Sequence, residues 1–422
     1  MYFWMFYPLG LDLPRRRTPW LSGLVLAAIG LVFAWIRWWP WSLGFSPWDL
    51  VFYAGSSPPW TVLTATLLHA DWMHLIGNLV YLLVFLPPLE DRIGRAGLLL
   101  LIMATGAGGN LAHGLASWHD WFGQGGLGIL GASGVVSGLL GYALVRVPHA
   151  RLQVAYWVFA PLQGQNRAGR SRLPLPVAVL VWLLLQVVHA LVASETGSAV
   201  SYGAHFGGFV TGLVMGLLLG GAQEGRTEAS LLEARRHLEA GRGWPAAGAF
   251  TEYLDAMPGD LEARIERARA LLMVGPDAHP EAAYRDAHRR AVAAGRWDLA
   301  LDALREGRRL QACLGLGVDE LGAAAQQADR SGDDDLAIAL YQDLATSGRR
   351  HPVVDRAWVR LVLLLHARPD RLEEAREWIE RARAGMMPGA WRDYLEREFT
   401  TREAGRAGSS PRPQPGHPAP GS

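Results

Sequence analysis

The stretch Gly212-Leu213-Val214-Met215-Gly216-Leu217-Leu218-Leu219-Gly220-Gly221-Ala222-Gln223-Glu224-Gly225-Arg226 divides the chain. To its left, residues 1–220 hold 7 Asp/Glu and 11 Arg; to its right, residues 221–422 hold 32 Asp/Glu and 29 Arg. A rise from 18 charges in 220 residues to 61 in 202 is a change of solvent, from lipid to water. A single soluble domain is excluded, and so is a protein made only of membrane spans. The net charge of +1 argues against a nucleic-acid partner, which would need a basic excess. The lone Cys313 excludes an internal disulfide and a cysteine-built metal site, and reads as a buried core thiol.

Left of the boundary, apolar segments of near-spanning length lie at roughly 20–39, 61–86, 97–115, 129–147, 175–193 and 200–220. Six membrane helices are predicted. The fourth and sixth are rich in Gly, Ala and Ser, a composition suited to close helix packing. Arg15, Arg16 and Arg17 precede the first span, Arg92 and Arg95 lie between the second and third, and Arg146, Arg151, Arg167, Arg170 and Arg172 lie between the fourth and fifth. The other connections hold no arginine, which places both termini in the cytoplasm. An aromatic outward loop, with Trp38, Trp39, Trp41, Trp48 and Trp60, follows span one, and Trp118 and Trp121 sit in the next.

Polar residues at membrane depth are costly and need a reason. Span two is read as carrying His69, His74 and Asn78, with His74 and Asn78 four apart on one helix face. Span four opens with Gly131-Ala132-Ser133-Gly134, and span six carries Gly203-Ala204-His205-Phe206-Gly207-Gly208, with Gly212 beyond. Ser133, His205 and the His74/Asn78 pair then fall in one layer near the outer face. Flanking glycines let two backbones come close enough for a Ser–His hydrogen bond. His74, Asn78 and the Ser133 backbone N–H are left as donors for an oxyanion. His113 and His189 lack such surroundings and are assigned to structure; His69 is read as tying the outward loop. No metal motif such as H-E-x-x-H is present, and no metal or cofactor is expected.

The order His69-x4-His74-x3-Asn78, Gly131-x-Ser133-Gly134 and Ala204-His205-x-x-Gly208 resembles the rhomboid intramembrane serine proteases. So do Glu90-Asp91-Arg92-Ile93-Gly94 and Pro148-His149-Ala150-Arg151. The likeness covers about residues 18–222. It implies Ser133 as nucleophile, His205 as general base, and His74, Asn78 and the Ser133 amide as the oxyanion site. Three departures stand out: Trp60-Thr61 in place of a Trp-Arg pair, Val200 in place of a glycine, and Ser137 in place of an aromatic that stacks on the histidine in some members. The implied substrate is the unwound outward end of another protein's membrane helix, met within the lipid bilayer. A silent rhomboid-like protein that binds or escorts membrane clients is the competing reading.

Right of the boundary the chain is rich in Ala, Arg, Glu and Leu with helical periodicity. Helix pairs are expected near Gly241, Gly295, Gly332 and Pro369, resembling degenerate tetratricopeptide repeats that bind a protein or peptide, with a plain helical bundle as the competing reading. The expected fold is thus all-α: a cytoplasmic segment 1–18, a six-span rhomboid domain 19–222, a soluble helical-repeat domain 228–403 and a disordered tail 404–422.

Overall fold

The computed structural model describes residues 3–398 except 16, 41, 43, 119–125, 127, 161–164, 197–200, 311 and 387. The expectations for Arg16, Trp41, Trp121, Val200, the 404–422 tail and the Cys313 side chain lie outside the described residues. Two compact units are present, Met1–Ala229 and Ser230–Ser422.

In the first unit, α1 (Trp20–Trp38) begins where a carboxylate meets it. Glu90 accepts from the Leu21 N–H (3.0 Å), the Ser22 N–H (2.7 Å) and the Ser22 hydroxyl (2.6 Å). Those first-turn amides have no partner inside the helix, so a carboxylate from elsewhere supplies it. Residues 61–71 do not continue into the next span as expected. They form one helical turn, α2 (Thr61–Thr64), a tighter turn Ala65–Leu67, and an extended Leu68. The long helix α3 (Trp72–Trp118) starts only after Asp71, whose side chain accepts from the His74 N–H at 2.9 Å. His69 therefore precedes the helix.

Gly94 breaks α3 with φ 70° and ψ 174°. Unbroken, the helix would carry Asn110 about 57 Å beyond Trp72. Instead the Asn110 side chain donates to the Val62 carbonyl at 2.8 Å, so the second limb doubles back along the first. Next come α4 (Ser133–Arg146), α5 (Leu175–Thr196) and α6 (Tyr202–Leu218). By length and composition, α1, α3 and Leu175–Val192 of α5 can cross a membrane. With 14 residues, α4 reaches only about 21 Å.

Helices α4 and α6 touch backbone to backbone. A Cβ at Gly208 or Gly212 would collide with the carbonyl of Gly134 or Gly138, and one at Gly141 with that of Phe209. The second limb of α3 joins them at Gly109, where a Cβ would stand 2.9 Å from the Ala204 carbonyl oxygen and 3.2 Å from Gly134 Cα. Small side chains trade side-chain burial for close backbone approach, which favours association inside lipid.

The all-α expectation fails at one place. Strands β1 (Phe3–Leu11), β2 (Arg151–Ala160) and β3 (Gln165–Pro174) form an antiparallel sheet in that order. The link between α4 and α5 was read as an arginine-bearing loop, but Leu152, Val154 and Tyr156 alternate with Gln153 and Ala155 at the strand period of two. Leu152 and Val154 are buried, with Leu11 and Leu173 beside them against the helical core. The β1 register shifts between Pro8 and Gly10, an irregularity that an outer strand tolerates. The residues expected to be a plain cytoplasmic segment thus contain an edge strand.

At the end of α4 farthest from Ser133, the chain turns at Gly220 (φ 77°) and α7 (Gly221–Glu239) leaves α6 at 72°. Glu228 meets Arg92 at 2.6 Å and Arg146 at 2.9 Å, and Arg146 also meets Glu224 at 2.9 Å. Composition puts Glu228 in the water-soluble segment, yet this ion cluster fastens it to the first unit.

The second unit contains α8 (Gly243–Ala256), α9 (Leu261–Val274), α10 (Pro280–Ala293) and α11 (Trp297–Gly307). Then follow α12 (Val318–Arg330), α13 (Asp334–Ala345), α14 (Pro352–His366) and α15 (Leu372–Gly385). Each packs mainly on its neighbours in sequence. Three glycines close the turns before α8, α11 and α13: Gly241, Gly295 and Gly332, at φ 70°, 72° and 77°. After each, the next N–H returns to a carbonyl five residues back, His237, Ala291 and Ala328, at 2.9 Å. This is a left-handed helix stop that glycine adopts at little cost.

Candidate active site

Ser133 is the first residue of α4, after Gly131 at φ 121° and Ala132. Its backbone N–H is one of the four that the helix leaves free. Residues 131–140 are otherwise buried, and Ser133 alone among them is partly exposed. It faces a cavity of 580 Å³, also lined by His74, Asn78 and His205. The four residues singled out in the sequence therefore share one cavity wall, contributed by α3, α4 and α6.

The His74 ring lies against the backbone before the serine. A Cβ on Gly131 would stand 2.6 Å from His74 Nε2 and 3.8 Å from Asn78 Nδ2, so both donors reach the entry to α4. The Asn78 amide is within 3.0 Å of His69 Nε2, and that ring stacks edge-on with His74 at 5.0 Å between centres. His69, expected to tie the outward loop, packs on the candidate donors from outside the helix.

His205 lies one turn into α6. Ser201 starts that helix, its hydroxyl accepting from the Ala204 N–H at 3.2 Å. His113 Nδ1 is 2.7 Å from the Ser201 oxygen, and Ser117 Oγ is 3.1 Å from His113 Nε2. The chain Ser117–His113–Ser201 thus fixes the end of α6 that carries His205. His113, which also lines the cavity, has a supporting partner that its sequence context did not reveal. His189 is exposed on α5.

No hydrogen bond joins Ser133 to His205 in this structure. The Ser137 hydroxyl donates to the Ser133 carbonyl at 2.7 Å, and His205 Nδ1 meets Gln186 Oε1 at 2.7 Å. Catalytic hydrogen bonds are commonly long or absent without substrate. Gln186 escaped the sequence reading, although the rule used there, that a polar side chain among Leu and Val needs a partner, applies to it equally. Among the described residues, no group of three or more His, Cys, Asp or Glu side chains is arranged to hold a metal.

Residues 56–222 match the family model described as the Rhomboid domain. The chain carries a Rhomboid domain. The domain is similar to the presumed rhomboid protease YdcA of Bacillus subtilis (strain 168), 30% identical over 114 residues, 25% of this chain and 54% of that protein. It is also similar to Rhomboid-like protein 11, chloroplastic, of Arabidopsis thaliana, 36% identical over 89 residues, 21% of this chain and 30% of that protein. The chain thus spans about half or less of the curated relatives it matches. A crystal structure of MamA protein aligns with 45% of this chain and 98% of its own at 17% identity, with a TM-score of 0.18, too low to assign a fold. The Rhomboid domain contains all four candidate residues, and its apolar helices make the chain a membrane protein.

Proposed function

We propose that the protein is an intramembrane serine endopeptidase acting on membrane helices or their flanks. Its domain crosses the bilayer six times, with α3 supplying two crossings, both termini in the cytoplasm and the site open to the outer face. One observation carries the reading. Ser133, the single accessible position on a buried helix start, shares its cavity with His205, His74 and Asn78. His205 takes the Ser133 proton, Ser133 attacks the scissile carbonyl, and His205 protonates the leaving amine. The Ser133 N–H, His74 and Asn78 stabilise the oxyanion. Water then releases the acyl group through the same cavity. A peptide bond inside a regular helix is shielded, so substrates with helix-breaking residues are favoured. The second unit serves as a tetratricopeptide-like module for a protein or peptide ligand.

The silent-escort reading draws support from the missing Ser133–His205 hydrogen bond. A fluorophosphonate probe separates the two. The protein is expected to label at Ser133 and to cleave a membrane substrate, and Ser133→Ala and His205→Ala, still folded, are each expected to abolish cleavage. Cleavage retained in either variant removes the dyad; a wild-type protein that neither labels nor cleaves leaves the escort.

A further inference from the structure

Ser137 stands where some rhomboid proteases place an aromatic ring against the histidine, and its hydroxyl is turned to its own helix backbone. His205 instead finds partners on α5. Gln186 Oε1 lies 2.7 Å from His205 Nδ1. One turn earlier on α5, the Trp182 ring centre is 6.5 Å from the imidazole, tilted by 40°. Tyr202 approaches edge-on at 6.1 Å.

We propose that Gln186 is the positioning residue for His205, taking the role that a carboxylate plays in serine triads. This rests on the acyl-transfer reading above. The Gln186 carbonyl oxygen accepts the Nδ1–H and so selects the tautomer whose lone pair is on Nε2. That nitrogen is the one left to take the Ser133 proton. The ring is held at one edge by the hydrogen bond, with Trp182 and Tyr202 beside it. The amide end matters. Were Gln186 turned so that its N–H faced Nδ1, the proton would sit on Nε2 and His205 would be no base.

The test uses the full chain in bilayer discs, with a cleavable membrane substrate and a fluorophosphonate probe. Gln186→Leu removes the acceptor at similar size, and Gln186→Glu keeps it. Gln186→Leu is expected to lower kcat on the order of 10–100-fold with KM nearly unchanged, less than the roughly 10⁴-fold loss when a triad carboxylate is replaced and the wrong tautomer forms. The labelling rate of Ser133 should fall in parallel, while Gln186→Glu should stay within a few-fold of the parent. The ¹⁵N spectrum of His205 should show the Nδ1–H tautomer in the parent and a mixture in Gln186→Leu. The proposal is overturned by parental kcat in Gln186→Leu, by a loss confined to KM, by a folded Gln186→Glu as slow as Gln186→Leu, or by an Nε2–H parent. If the parent shows no labelling and no cleavage, the protease reading falls, and the ¹⁵N spectrum still reports on the Gln186–His205 bond by itself.

Discussion

Gly131 decides two things at once. Its φ of 121° is strained for any L side chain, and the space its Cβ would take belongs to the His74 ring, 2.6 Å away. Gly131→Ala is expected to cost about 1–3 kcal/mol of stability through backbone strain. It should also slow Ser133 labelling at least about tenfold, because His74 must leave the position from which it is proposed to face the oxyanion. Thermal unfolding and labelling rate, measured together, check this; a variant with both unchanged would separate His74 from the site. Asn78 is harder to isolate, since its amide also contacts His69 at 3.0 Å. Asn78→Ala should reduce turnover by about 10²–10³ as one oxyanion donor of several. His69→Phe is the control: an equal loss there would mean that Asn78 acts only by holding His69. The four candidate side chains were legible because each is a polar group at a depth where polarity is costly. Gln186 had the same signature, but no glycines flank it to suggest a close partner. His69 was placed on the helix because the cap at Asp71 was overlooked, although an Asp just before an apolar periodic run is a start signal.

The first turns of α7 act as a latch on the domain. Burial alone would raise the Glu228 pKa, but hydrogen bonds and charge from Arg92 and Arg146 outweigh it and hold the carboxyl below its ordinary value. With the folded pKa below the unfolded one, the latch contributes its full stability at neutral pH. That contribution is lost as pH falls from the ordinary glutamate range, about 4.3, through the folded value. Glu228→Gln leaves the buried Arg92 guanidinium without its carboxylate and Arg146 with Glu224 alone, a loss on the order of 3–5 kcal/mol. Unfolding of the variant against pH should show that loss at pH 7 and a flatter decline in acid than the parent; parallel curves would show that the pair is not coupled to folding. At this scale the helices were readable from apolar runs, and the turn at Gly94 from its motif. The sheet was missed because its strands are 9 and 10 residues long, β1 and β2 lie far apart in sequence, and arginines on β3 suggest a solvated loop. The period-two pattern of Leu152, Val154 and Tyr156 was the available sign.

The whole chain divides near the charge boundary, but the ion cluster moves the useful cut. About 20 Å of α4 separates Ser133 from Arg146, and none of the described residues lining the cavity belongs to α7. A chain ended after Ala229 keeps Glu224 and Glu228, and is expected to label at Ser133 at close to the full-length rate in matched micelles. One ended after Gly225 loses Glu228, and should unfold at lower temperature. Equal melting of the two would show the latch to be idle, and an inert but folded 1–229 chain would show that the second unit is part of the catalyst. The two-part organisation was plain from charge density, whereas the place where the halves hand over was set by a contact distant in sequence. The sheet carries a consequence for assembly in time. Residues 3–11 pair with residues 152–159, with 140 residues between the nearest partners Leu11 and Leu152. At about 5–20 residues per second, β1 waits roughly 7–30 s after its own synthesis before β2 exists. Through that interval Phe6, Tyr7 and Leu9, all exposed even in the finished fold, have an open backbone edge and no strand to meet. A fusion placed ahead of Phe3 therefore acts late in the birth of this protein, at the moment the returning chain comes to collect its first strand.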